Sequence, residues 1–180
     1  PYQICNGAQL LAIDSDTSSY GNSYKLMGDI DLASYYTNGG GYFVLGDATN
    51  NFTGSFDGNG YKISNFAVAD PTNSDGHLGL FGYLGAGSSV TNLSLNCVIT
   101  ISSAQAPPNV GCLAGYQGGG VISNVHTSGT ISSAYNETGG MVGNANGGTI
   151  EKSSANVSLT AYDRAGGFIG LQGAGHTVSN

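Results

Sequence analysis

The phrase Gly79-Leu80-Phe81-Gly82, followed by Val90-Thr91-Asn92, constrains this chain more than any other stretch. It returns as Cys112-Leu113-Ala114-Gly115 with Ile122-Ser123-Asn124, and as Gly140-Met141-Val142-Gly143 with Ile150-Glu151-Lys152. A fourth copy is Gly167-Phe168-Ile169-Gly170 with Val178-Ser179-Asn180, and a fainter one pairs Gly54 with Ile63-Ser64-Asn65. Down the column Asn65, Asn92, Asn124, Lys152 and Asn180 the intervals are 27, 32, 28 and 28. Down Gly54, Gly82, Gly115, Gly143 and Gly170 they are 28, 33, 28 and 27. Both columns carry the same insertion, at Ala104 to Asn109, whose prolines mark a loop. Two columns that agree on period and insertion define a true repeat, each copy one structural unit.

Inside the repeat the alternation has period two, the signature of strands. Leu93, Leu95, Cys97 and Ile99 point one way, and their counterparts are Val125, Thr127, Gly129 and Ile131, then Ser153, Ala155, Val157 and Leu159. Stacked copies pile these residues into inward columns and leave Ser and Thr outside. About 28 residues, holding three short strands and Gly-containing turns, match one rung of a parallel β-helix. Each rung then adds about 4.8 Å along the axis. A propeller is the alternative, but its four-stranded blades need about 40 residues.

Residues 1–50 read differently and are expected to cap the first rung, with the repeats occupying 51–180 as part of the same structural domain, which is expected either to continue beyond residue 180 or to be completed by a neighbouring subunit. Ala8 to Ile13 is the one short helix expected, preceded by Asn6-Gly7. Tyr24 to Leu32 alternates as a strand, and a Gly/Asn/Tyr-rich loop follows around Thr37 to Tyr42.

Composition narrows the functional classes. Gly numbers 31 in 180 residues and charged residues are only 8%, so Gly, Ser, Thr and Asn have replaced Lys and Glu on the surface. The 39% hydrophobic content, in patterned positions, argues against disorder. The glycines keep no three-residue period, which excludes collagen. Four Lys and Arg face eleven Asp and Glu, a balance that opposes nucleic-acid binding and attraction to anionic lipid. The longest apolar runs, such as Cys97 to Ile101, are too short to span a bilayer as a helix. The opening on Pro1, without Met or a basic segment, reads as a processed or excised chain.

The Gly-hydrophobic-hydrophobic-Gly phrase with its hydrophobic-Ser-Asn step resembles the GLUG repeat of large secreted bacterial proteins, among them filamentous haemagglutinin-like adhesins and the stalks of surface peptidases. The upstream order is also similar: Gln9-Leu10, Gly28-Asp29-Ile30-Asp31-Leu32, then Phe52-Thr53-Gly54-Ser55-Phe56-Asp57-Gly58-Asn59-Gly60. The resemblance covers nearly the whole chain. It implies an all-β fold, a right-handed parallel β-helix, in an extracellular or cell-surface setting, and it supplies no catalytic residues. Cys112 stands where the family has Gly, and Lys152 interrupts the Asn column.

The residues able to carry chemistry mostly have structural readings. Asn at a rung corner bonds neighbouring backbone and its own stacked copies. The Gly columns supply positive φ or close packing. Asp57-Gly58-Asn59-Gly60 offers oxygens to calcium but lacks the EF-hand spacing, and a tight turn between Phe56 and Tyr61 explains it. No cofactor is expected. Asp29 and Asp31 lie two apart on a strand and point the same way, an arrangement open to acid–base work or cation binding, though a cap boundary explains them as well. His77, His126 and His176 fall in different parts of different repeats, without ligand spacing. A serine nucleophile lacks its G-x-S-x-G elbow, and one Arg is too few for a lyase of anionic polysaccharide. Cys97 and Cys112 either close a disulfide inside the solenoid or remain buried thiols. Asn51, Asn92, Asn136 and Asn156 head N-glycosylation sequons, Asn136 on the most loop-like stretch.

These features point to a structural or adhesive solenoid, not an enzyme, that projects, spaces or assembles. End-to-end self-association into filaments is one expected partnership, because an uncovered parallel edge templates further pairing. Glycans or a neighbouring cell surface are another, with Tyr35-Tyr36, Tyr42, Tyr83 and Tyr116 as stacking faces for a carbohydrate-binding module. A β-helix enzyme acting on glycans through Asp29 and Asp31 is the third reading.

Overall fold

The computed structural model describes residues 1–69, 76–102, 109–134 and 137–179. Asn136, Asn180 and the insertion up to residue 108 lie outside the described residues. The chain opens with β1 (Tyr2–Ile4), α1 (Gly7–Asp14) and a 3-10 turn at Thr17–Gly21. Next come β2 (Ser23–Leu26), β3 (Ile30–Asp31), α2 (Ala33–Thr37), β4 (Ser55–Asp57) and β5 (Lys62–Ala69). The regular coils follow: β6 (His77–Leu78), β7 (Phe81–Leu84) and β8 (Ser89–Ile101), then β9 (Asn109–Gly111), β10 (Ala114–Gln117) and β11 (Val121–Ser133). After them run β12 (Glu137–Gly139), β13 (Val142–Glu151) and β14 (Ser154–Ala161), then β15 (Ala165–Gly166) and β16 (Ile169–Ser179).

Every strand pairing is parallel, and the strands stack as a β-solenoid of about 5 turns. The front face is one ladder through β1, β2, β4, β8, β11, β13 and β16. Its inward row reads Tyr2, Tyr24, Phe56, Val90, Ile122, Ile150 and Val178. A second face stacks β3, β5, β8, β11 and β14, with the inward row Ile30, Ile63, Leu95, Thr127 and Ala155. Two further faces are short: β6, β9, β12 and β15 on one, and β7, β10, β13 and β16 on the other. A rung therefore has four faces where the sequence pattern gave three strands.

The extra fold comes from the corners. β8 and β11 keep their ladder through the corner between the front and second faces, and Asn92 (φ 53°) and Asn124 (φ 54°) make that bend in the left-handed region. Asn tolerates this region better than most residues with a Cβ. Lys152 takes the same conformation, φ 50°, in the next rung.

The N-terminal segment both closes one end and joins the stack. Asn6 caps α1 by accepting the Gln9 N–H at 3.0 Å, and Gln9 accepts the Cys5 N–H at 2.7 Å. Leu10 and Ile13 are buried, and a Cβ on Gly7 would stand 3.3 Å from Leu32. The strand expected over Tyr24 to Leu32 is broken at Met27–Asp29 by the same corner that bends β8, leaving β2 and β3. The loop expected around Thr37 to Tyr42 is there, and just before it α2 adds a second short helix, with the Asp31 carboxylate accepting the Ala33 N–H at 2.9 Å.

Two positions leave the columns that period counting gave them. Leu45 pairs with Phe81 and Phe52 with Leu84, so Gly46, not Gly54, lies beside Gly82. Gly54 instead precedes the front face, its carbonyl accepting the Ser89 N–H. In β5 the register shifts between Ile63 and Phe66, and Asn65 (φ 58°) sits in that bulge. The residue beside Asn92 is Gly58, because Asp57 pairs with Thr91. An interval near 28 at the first repeat was a coincidence of two irregularities, a long connection and a bulge.

Cys97, on the second face, and Cys112, in the bend after β9, are joined by a disulfide across the interior, with Cα atoms 5.8 Å apart. Both residues are fully buried, while Cys5 is exposed and free. A crosslink over this sequence separation of 15 is worth about 3 kcal/mol in the chain-entropy account. The Cys97→Ala/Cys112→Ala double variant is expected to lose about that much. The check is a lower urea midpoint with a slope that is steeper, because the unfolded chain without the crosslink is less compact.

Candidate functional site

Two built features organise the surface: a corner ladder and a glycine seam. In the ladder, Asn124 Nδ2 donates to Asn92 Oδ1 at 3.0 Å, and Asn92 Nδ2 donates to Asp57 Oδ1 at 3.1 Å. Asp57 Oδ1 also accepts the Asn59 N–H at 2.8 Å, and its Oδ2 lies 3.4 Å from Lys25 Nζ. Burial pushes the Asp57 carboxyl up, but the bonds from Asn92 and Asn59 and the Lys25 charge outweigh it and hold the group below the usual range. The Asp57–Gly60 segment is a turn, closed by Tyr61 N–H donating to the Gly58 carbonyl at 2.8 Å.

The seam is where the two short faces fold against each other. None of Gly82, Gly115, Gly143 and Gly170 has positive φ; each is needed for close backbone approach. A Cβ on Gly115 would stand 2.7 Å from the His77 carbonyl carbon, and one on Gly143 would stand 2.6 Å from the Val110 nitrogen. On Gly170 it would meet the Thr138 nitrogen at 2.7 Å. Real Cβ atoms do not come this close to backbone, so the bend exists only with glycine at these positions.

Side chains from both walls close the seam. Tyr83 and Tyr116 stack at 4.6 Å between centroids, and the His77 ring lies 5.5 and 5.1 Å from them. His77 Nδ1 is 2.8 Å from Asn109 Nδ2, the amide donating to the ring nitrogen. Burial lowers the His77 pKa, opposed by the nearby Glu137 charge. One rung on, Asn144 Nδ2 donates to Glu137 Oε2 at 2.8 Å, and Arg164 pairs with Glu137 Oε1 at 2.8 Å.

The other candidate residues are dispersed. Asp29 Oδ1 accepts the Lys62 N–H at 2.8 Å, and Asp31 Oδ1 accepts Asn65 Nδ2 at 2.7 Å, so both carboxylates tie β3 to its surroundings. The bond from Asn65, with that from Ala33, lowers the Asp31 pKa. Tyr35 stands edge-on to Tyr36 and Phe43, and Gly40 packs on its ring. Tyr36 Oη accepts the Ala67 N–H at 3.1 Å, and Tyr42 is half-buried. His126 Nδ1 bonds Ser154 Oγ at 2.8 Å. Among the described residues, no three His, Cys, Asp or Glu side chains gather as metal ligands. Of the sequons, Asn51 is half-buried, Asn92 is held in the ladder and Asn156 is exposed.

His176 has no ligand spacing in the sequence, and its partner there is not foreseen. It is buried, and its Nε2 donates to Gln117 Oε1 at 3.1 Å, linking residues 59 apart. Burial lowers its pKa. The register shift between Ala145 and Gly147 brings it there, and no periodic signal announces such a shift.

At the C-terminal end β14, β15 and β16 are the last strands of their stacks. Ala155, Val157 and Leu159 are only half-buried, whereas Thr127 and Ile131 in the adjoining rung are 2% and 1% exposed. Val178 is 46% exposed next to a fully buried Ile150. No helix among the described residues is long and apolar enough to cross a membrane.

No family model matches the chain. It is 33% identical over 188 residues to Halomucin of Haloquadratum walsbyi, covering 99% of this chain and 2% of that protein. It is 41% identical over 130 residues to a Gly-rich membrane protein of Evansella cellulosilytica, covering 69% of this chain and 14% of that one. The chain thus spans a small fraction of either relative. Its fold is similar to that of a Bacteroides ovatus protein described as an immunoglobulin A1 protease, with TM-score 0.54 and 18% identity. That match covers 99% of this chain and 63% of the other, and it bears on fold alone.

Proposed function

We propose that the chain is a non-catalytic structural segment of an extracellular or cell-surface protein, a β-solenoid spacer that holds other parts at a distance. The observation that carries this reading is where the polar residues go. Asn92, Asn124, Asp57, Asp29 and Asp31 all bond between rungs or shape turns, which leaves the carboxylate pair committed to structure. The tyrosines of the seam are likewise half-buried against one another and against His77. Support also comes from the relatives, in which a similar stretch is a small part of a protein named Halomucin or a Gly-rich membrane protein. Antibody raised against residues 1–180 is expected to label intact cells that produce the protein, and brief external protease is expected to remove the label. Signal found only after lysis would overturn the reading.

A further inference from the structure

The seam holds an unfinished set of hydrogen bonds. Asn109 is only 4% exposed, and His77 and Glu137 flank it in register on the short face of β6, β9 and β12. Its Nδ2 donates to His77 Nδ1 at 2.8 Å, which requires a ring whose Nδ1 carries no proton. Its Oδ1 is buried with no partner among the described residues. Buried polar atoms are nearly always paired. Here the amide spends its donor on a titratable ring and leaves its acceptor idle, so the arrangement suits one charge state of that ring.

We propose that His77 and Asn109 form a proton-operated latch in the seam, the Asn109 amide turning over when His77 is protonated. The latch is independent of the spacer reading. A proton on Nδ1 sets an N–H against the Nδ2 hydrogens, donor facing donor. Half a turn about the last side-chain torsion brings Oδ1 to that place, where it accepts a charge-assisted bond. Solvent supplies the proton, since His77 is half-buried. β7, β9 and β10 pack on β6 and bring Tyr83, Asn109 and Tyr116 to the ring. The tyrosine rings favour a cation through their π faces. From β12, Glu137 adds a negative charge, shared with Arg164 and Asn144. Burial opposes the charged ring and is the larger effect, so the latch turns below the ordinary histidine pKa of 6.5. With the folded pKa depressed, stability is complete above the unfolded value and is lost as pH falls through the folded one. Acid therefore weakens the seam.

NMR titration of the 180-residue chain from about pH 8 to 5 tests the latch. The His77 midpoint is expected below 6.5. NOEs from the Asn109 NH2 protons to the His77 ring are expected at the alkaline end and lost with that same midpoint, as the NH2 turns away. Glu137→Gln removes the charge that favours the cation and is expected to move the midpoint further down. Asn109→Asp supplies a fixed acceptor with a negative charge and is expected to lift it above the ordinary value. If Asn109→Asp loses its far-UV signal, Arg164→Gln, on an exposed side chain, replaces it; the uncompensated Glu137 charge is then expected to raise the midpoint. The urea midpoint of the wild type is expected to fall over the same pH range, and His77→Gln to recover part of that loss. A wild-type His77 midpoint at or above 6.5, or Asn109 NOEs that persist once the ring is charged, would overturn the proposal.

Discussion

Gly143→Ala is expected to cost about 3 kcal/mol, the upper range for overpacking, and Gly143→Val to leave no cooperatively folded protein. The added Cβ would stand 2.6 Å from the Val110 nitrogen, 2.8 Å from the Gly115 oxygen and 2.9 Å from the Glu137 oxygen. All three are backbone atoms of neighbouring strands, so no side chain can swing away to make room. Relief requires moving the two short faces apart, and that breaks ladders on both sides. Gly28→Ala is the control: its φ is not in the left-handed region and nothing lies within 4 Å of its Cβ position. It is expected to change stability by less than about 0.5 kcal/mol. Thermal and urea melts of the three variants decide the matter. Equal effects at Gly143 and Gly28 would mean that the seam is not the reason for the glycine column.

The seam also explains what the sequence disclosed and what it hid. Stacking of rungs was legible because each rung buries the same short pattern, so Leu95, Thr127 and Ala155 recur at matching positions. The Asn corner was legible from Asn92 onward for the same reason. Glycine columns, however, look alike whether they serve positive φ or close approach, and the fourth face of the rung depends on the second. The first repeat misled because neighbouring irregularities cancelled in the count: Gly46 replaces Gly54, and a bulge displaces Asn65. Pairings such as His176 with Gln117 arise from a register shift, which leaves no trace in periodicity.

Exposed ends follow from the same architecture. A rung buries its inward row only when a rung lies on each side, as Ile150 and Val178 demonstrate within one column. Stability is then nearly a sum of neighbour terms, and damage to one rung is felt locally before it is felt globally. The position with most to lose is therefore one that couples unlike parts of the stack.

Phe81 is such a position, and Phe81→Ala is expected to cost about 4 kcal/mol, within the range for deleting a buried aromatic ring. Its ring is fully buried, 5.0 Å from Phe52 and 5.7 Å from Phe56, and Phe52 in turn contacts Tyr20 and Tyr24. These rings fill the space where the irregular N-terminal segment meets the first regular rung. The neighbour in register on the other side is Ala114, too small to fill the cavity. A fall in Tm of about 12 °C corresponds to this loss for a domain of this size. Val98→Ala, on a half-exposed outward side chain, is expected to shift it by little. The location adds a second expectation: hydrogen exchange rises more at residues 2–57 than at 109–151, because the cut falls between those two groups. Uniform loss of protection along the whole chain would mean that the stack melts as one unit and that Phe81 couples nothing in particular.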